Sequence, residues 1–168
     1  MPTEITLKEA AQKTDELRAK WREAAILGLQ SAAARGVQDI IVKIIPSRTP
    51  MPVDRGIYRS GWRFYPAPDG AVIECFEPHA ILIEDGVRAS NVKIGRAMIK
   101  ALAEWATRKG LVSGEDAEKV AWAIAKSMKK RGIFNRGKGM GILAELVDKY
   151  LPNYVQEEVA REIERAGF

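Results

Sequence analysis

The chain has 168 residues, 46% hydrophobic and 29% charged, with 27 basic against 22 acidic side chains for a formal net charge of +5. That length fits one domain with a moderate core, burying roughly 70% of its extended surface, and the balance of residues excludes a disordered body. No leader pattern opens the sequence and no run approaches the roughly 18 apolar residues of a membrane span; with a single cysteine, Cys75, excluding an intrachain disulfide, a protein kept in a reducing cytoplasm is expected.

Residues 6 to 35 read as a long helix. Leu17, Trp21, Ala25, Leu29 and Ala32 share a stripe at spacings of three and four, and Gly36 is placed to stop it. Lys13, Arg18, Lys20, Arg22 and Glu23 form the polar face, solvated or covered by a partner subunit. The β-branched run DIIVKII, Asp39 to Ile45, predicts a strand closed by Pro46. SRTPMPV, residues 47 to 53, is a proline-interrupted loop.

Ile57 to Tyr65 and Ala71 to Phe76 suit two antiparallel strands joined by PAPDG, with Glu74 on the wetter face. Ile94, Met98, Leu102 and Trp105 define a helix ending near Gly110. Ala117, Val120, Ala121, Ile124, Ala125 and Met128 define another ending before Gly132. A further helical region starts near Gly141 with Leu143, Leu146, Val147 and Tyr150, and Pro152 predicts a break before a charged helix from about Asn153 to Ala166. The order of elements predicts an α+β fold: a small, mainly antiparallel sheet packed against a long N-terminal helix and C-terminal helices. A single domain over residues 1–168 is expected, with 153–168 a peripheral helix.

For chemistry, Glu74, Glu77, His79, Glu84 and Asp85 are the natural acid–base cluster, since two carboxylates with separated pKa values can cleave a glycosidic bond. Their plain reading is turn and surface groups beside Gly86. His79 lacks metal-ligand spacing, Cys75 reads as a buried thiol, and no serine occurs in GxSxG. RGIFNRGKGMG, residues 131 to 141, has the GxxxxGK spacing of a phosphate loop, but Gly139 replaces the magnesium-binding hydroxyl. Lys126, Lys129, Lys130, Arg131, Arg136 and Lys138, extended by Arg55, Arg59 and Arg63, form either a solvated face, a protein interface, or a DNA-backbone contact through Lys129, Lys130, Arg131, Arg136 and Lys138. Trp122 lies off its helix's buried stripe, so it meets a second packing layer, the more usual fate, or covers a subunit contact. No catalytic residue, cofactor or metal is assigned.

Three segments together resemble a known family: PVDRGIYRSGW at 52 to 62, EPHAILIEDGVRA at 77 to 89, and the AEWATRKGL to AWAIAKSMKKRGI block at 103 to 133. Their order is similar to that of the minor tail and tail-completion, or head-to-tail joining, proteins of long-tailed bacteriophages and related prophages. The resemblance covers roughly residues 48 to 140. It implies a non-enzymatic virion protein, made in the host cytoplasm and placed at the tail or head-tail junction. Its expected partners are further copies of itself in a ring, tail-tube or head-connector proteins and passing DNA, with no membrane. On that reading Asp54 and Gly56 shape the start of the strand. Arg55, Arg59, Arg63, Glu84 and Trp122 complete a candidate assembly interface.

Overall fold

The computed structural model describes residues 6–48, 56–114 and 116–168. In chain order the elements are α1 (Leu7–Asp39), α2 (Ile57–Ser60), β1 (Trp62–Ala67), β2 (Gly70–Cys75), α3 (Ala80–Asp85), α4 (Arg96–Arg108), α5 (Asp116–Arg131), α6 (Phe134–Gly137), α7 (Ile142–Glu145) and α8 (Leu151–Arg165). The fold is α+β, with a two-stranded antiparallel sheet packed against the long N-terminal helix and helices from the C-terminal end. The chain divides into two compact units, residues 1–77 with 142–168, and residues 78–141.

In the first unit α1 begins with a reciprocal cap. The Glu9 backbone N–H donates to Thr6 Oγ1 at 3.3 Å, and the Thr6 N–H donates to Glu9 Oε2 at 2.9 Å, satisfying two donors that a helix start leaves open. The helix does not stop at Gly36. It runs on through Asp39 into a π turn, Ile40–Ile44, where a strand is predicted. Burial explains the correction: Ile40, Ile44 and Ile45 are buried while Val42 is exposed, whereas strand alternation would set Val42 on the same face as Ile40 and Ile44. Intrinsic β preference yields to packing on one face. Gly36 lies inside the helix, where a Cβ would press on Leu146 Cδ2 at 3.2 Å.

The buried line of α1 is made of small residues, Ala24, Gly28, Ala32, Ala33 and Gly36, rather than Leu17 and Trp21. Small side chains let a second helix approach closely, and α8 does so: a Cβ at Gly28 would sit 2.4 Å from the Val159 Cα. The C-terminal helix is therefore central to this unit instead of peripheral. Pro152 does not break the chain before it. The lost backbone donor is absorbed by a π turn, Leu146–Tyr150, that joins α7 to α8 with Pro152 in the first turn of α8.

A polar network pins this helix pair. Tyr154 donates its hydroxyl to Asp39, whose carboxylate also accepts from Lys43 Nζ at 2.8 Å. Arg35 lies over the Tyr154 ring at 4.0 Å and donates to Glu157 at 2.6 Å and to the buried Glu158 at 3.2 Å. Burial pushes the Tyr154 phenol up to about 12, reinforced by its bond to Asp39. Burial also works to raise Asp39, but the hydrogen bonds from Lys43 and Tyr154 outweigh it and leave the carboxyl below its ordinary 3.8.

The two shifts define a stability plateau. Asp39, lowered in the fold, contributes above its unfolded value and loses that contribution as pH falls through its folded one. Tyr154, raised in the fold, contributes fully below its ordinary 10.0 and loses that contribution as pH rises toward 12. Chemical denaturation across pH should therefore show an alkaline loss between pH 10 and 12 that Tyr154→Phe removes; an unchanged alkaline limb in the variant would refute this coupling.

The hairpin is shorter than predicted at its start. Ile57–Ser60 is a helical turn opened by Gly56 at φ +75°, and the strand begins only at Trp62. The turn from α2 into β1 brings Tyr58 edge-on to the buried Trp62, 5.8 Å between ring centroids. Pairing runs from Trp62 opposite Cys75 to Ala67 opposite Gly70, so Pro68 and Asp69 make the turn. Glu74 is exposed, as expected, and accepts from the Tyr65 hydroxyl.

The second unit is built on α4 and α5, with Ile99, Ala121 and Ala125 at its centre and Ile94, Met98, Leu102 and Ala103 packed around them. The predicted α5 stripe appears here, whereas α4 buries Ile99 and Ala106, with the predicted Ile94, Met98, Leu102 and Trp105 half-buried. The chain on either side, α3 and the segment after α5, is joined by a bridge between Val87 and Ile133.

Candidate assembly surface and basic cleft

Seventeen residues of α1, 7 to 23, are exposed one after another before the helix meets its first buried residue, Ala24. At 1.5 Å per residue that is roughly 25 Å of helix. Leu7, Ala10, Thr14, Leu17 and Trp21 follow one another at three and four, and the same line continues into Ala24 and Gly28, where α8 packs. Leu17 is 53% exposed and Trp21 51%. Of the predicted stripe, Ala32 is buried and Ala25 and Leu29 are half-buried, whereas Leu17 and Trp21 are not covered by the described residues of this unit.

Charge on the same stretch is balanced. Lys8, Lys13, Arg18, Lys20 and Arg22 face Glu9, Asp15, Glu16 and Glu23 along the helix, five cations against four anions. An arm of that kind can pair with a second copy of itself without strong like-charge repulsion.

The predicted interface residues belong to both units, Gly56, Arg59 and Arg63 to the first and Glu84 and Trp122 to the second. Asp54 and Arg55 lie outside the described residues. Gly56 supplies the left-handed start of α2, as stated above, and Arg59 on that turn is half-buried. The four-residue spacing of Arg59 and Arg63 does not align them along one strand, because Arg59 is helical and only Arg63 is in β1. Arg63 Nη1 donates to the backbone carbonyls of Ser60 at 2.5 Å and Trp62 at 2.8 Å, which commits it to capping α2. Glu84 is half-buried at the end of α3, and its backbone carbonyl accepts from the Gly141 N–H at 3.2 Å. Trp122 is 42% exposed on α5 and so is not core within its unit.

The carboxylates proposed for acid–base work are divided between the units, Glu74 and Glu77 in the first and Glu84 and Asp85 in the second. Cys75 is half-buried, with its Sγ 3.8 Å from the Tyr58 carbonyl, and His79 is exposed at the start of α3. Among the described residues no three His, Cys, Asp or Glu side chains gather as metal ligands would.

The glycine-rich stretch has a different role from the phosphate loop it resembles in spacing. Gly132, Gly137 and Gly139 all have positive φ and lie against the backbone of the Glu84 to Arg88 segment. A Cβ at Gly139 would overlap the Glu84 carbonyl oxygen at 1.8 Å; one at Gly86 would meet the Gly139 nitrogen at 2.3 Å. Two backbone strands of chain pass at a distance only glycine permits.

This crossing creates a cleft of about 700 Å³, lined by Asp85, Arg88, Asn91, Arg136 and Lys138 with the backbone of Gly86 and Gly137. Of the basic residues singled out in the sequence, Arg136 and Lys138 reach it. Lys130 and Arg131 are exposed on α5 and do not line it; Lys129 donates to the Val92 carbonyl at 2.8 Å. Arg88 and Asn91 were missed. The available signal was EDGVRAS itself, where a positive-φ glycine sits two residues before an arginine, but nothing in the spacing says which distant loop it meets.

Geometry thus defines an α+β protein with a projecting helical arm in one unit and a basic cleft in the other. Compared with known protein families, curated proteins and solved structures, the chain matches none. Among the described residues no helix is long and apolar enough to cross a membrane.

Proposed function

We propose that this chain is a structural protein of a tailed phage, acting in tail completion or head-tail joining through ring-like self-assembly. The resemblance of residues 52 to 133 motivates the family. The observation that carries the assembly reading is the exposed arm of α1, whose apolar line Leu7, Leu17 and Trp21 continues a stripe that is buried farther along the same helix. A second copy is the fitting occupant, because the balanced charges of the arm complement their own reverse. Trp122 and Arg59 offer further contacts, and tail-tube or head-connector proteins are the proposed heterologous partners within the virion.

Native mass spectrometry over micromolar concentrations tests this. The wild type should give a discrete oligomer, alone or with tail-tube protein, and the pair Leu17→Glu and Trp21→Glu should return it to monomer. Both positions are about half exposed, so the melting temperature of the variant monomer should hardly change. A wild-type monomer under every condition, with no partner complex, would sink the proposal.

A further inference from the structure

The cleft of the 78–141 unit sets three cations against one carboxylate. Arg88, Arg136 and Lys138 share its wall with Asn91, and Asp85 is the acidic member. Among the described residues, none of the three basic head groups is held by an ion pair or a hydrogen bond to the protein. Like charges gathered in a concavity repel one another, and the arrangement gains most from an anion that joins them.

Backbone contacts impose the gathering. Val87 and Ile133 exchange hydrogen bonds at 3.1 and 2.8 Å, and Gly137 passes so near Arg88 that a Cβ on it would lie 2.9 Å from the Arg88 Cα. Whatever flanks Gly137 is therefore delivered to Arg88, and the flanking residues are Arg136 and Lys138. Arg136 itself has φ +57°, a left-handed conformation that glycine or asparagine adopts far more readily than arginine. The loop does not need arginine there for its shape.

We propose that this cleft binds a phosphate group. Two guanidinium forks can each hold two phosphate oxygens, the Lys138 ammonium adds a point charge, and the Asn91 amide can donate without adding charge. With Asp85 ionised the wall carries a net charge of +2, from three cations and one anion, which matches a phosphate dianion. The volume exceeds that of one phosphate, so the group can arrive as free phosphate or as part of a nucleic-acid backbone. The shared chemistry is the same, and this inference is independent of the assembly reading.

The test is isothermal titration of the full-length protein with inorganic phosphate and with a short single-stranded oligonucleotide, each at low and high salt. Saturable phosphate binding is expected, weakened by about tenfold or more in Arg88→Gln and in Arg136→Gly. Lys130→Gln, outside the cleft, should leave it unchanged. Arg136→Gly relieves the left-handed strain, so loss of binding in that variant cannot be attributed to misfolding; melting curves check it.

Mutual displacement of phosphate and oligonucleotide would identify a nucleic-acid backbone as a source. Phosphate binding that the oligonucleotide does not displace would identify free phosphate. No saturable phosphate binding would overturn the proposal, as would equal weakening in Lys130→Gln or phosphate binding indifferent to Arg88 and Arg136. The Leu17→Glu, Trp21→Glu protein should bind phosphate as the wild type does, which separates failure of this site from failure of the assembly.

Discussion

Gly28→Ala should destabilise the first unit by about 3 kcal/mol, because overpacking a tight interior costs roughly 1–3 kcal/mol and here the obstacle is main chain. The added Cβ would lie 2.4 Å from the Val159 Cα and 2.8 Å from its nitrogen. A side chain could swing away; a helix backbone has to translate. Separation of α8 from α1 would also stretch the bonds of Arg35 to Glu157 and Glu158 and of Tyr154 to Asp39. Thermal unfolding should show a fall of roughly 10 °C, taking about 2–4 °C per kcal/mol at this chain length. Val159→Ala should not rescue it, since the clashing Cα and nitrogen remain. Gly95→Ala, where a Cβ would meet nothing within 4 Å, supplies the control and should leave the transition nearly unmoved. A wild-type melting temperature in Gly28→Ala would refute the close helix contact.

Gly139→Ala should have a comparable or larger effect, confined to the other unit. Two costs add: about 1–2 kcal/mol for a Cβ in a left-handed conformation and about 1–3 kcal/mol for overlap that the chain must move to relieve. The residue has φ +77°, and its Cβ would fall 1.8 Å from the Glu84 carbonyl oxygen. The loop should lift from the Glu84 to Arg88 segment, taking with it the Met140 N–H bond to the Ile83 carbonyl, 2.8 Å long. Hydrogen exchange should then reveal lost protection in residues 83 to 88 and 132 to 141 while the α1 and α8 amides keep theirs. Gly110→Ala separates the two costs, because Gly110 has φ +67° with nothing near its missing Cβ. It should lose only the conformational part. Equal losses in Gly110→Ala and Gly139→Ala would show that crowding at Gly139 contributes nothing.

These contrasts indicate what the sequence could and could not disclose about the sites. Glycine density around residues 132 to 141 was visible, and its spacing invited a phosphate-loop reading. The physical demand on those glycines comes from Glu84, Gly86 and Arg88, about fifty residues away, so no local pattern states it. Arg136 and Lys138 could be singled out as cations; their meeting with Arg88 could not. The exposed arm of α1 was legible as a stripe, but a stripe records only that something should cover it. Which part is covered by α8 depends on where α8 ends.

By itself the sequence determined the α+β class, the antiparallel hairpin, the buried face of α5, and the ends of α4 and α5 near Gly110 and Gly132. Each is set within a window of a few to about fifteen residues by periodicity, by turn residues, or by positive φ at glycine. Tertiary structure decided the rest. Asp39 to Ile45 became helical because burying Ile40, Ile44 and Ile45 on one face, with Asp39 bonded to Tyr154, outweighs the strand preference of β-branched residues. Gly36 lies inside α1, where a Cβ would crowd the Leu146 side chain, and the helix after Pro152 joined the core because Gly28 admits the backbone of Val159. Local preferences amount to tenths of a kcal/mol per residue, whereas a buried contact between distant segments is worth several times that, so wherever the two disagreed the contact prevailed.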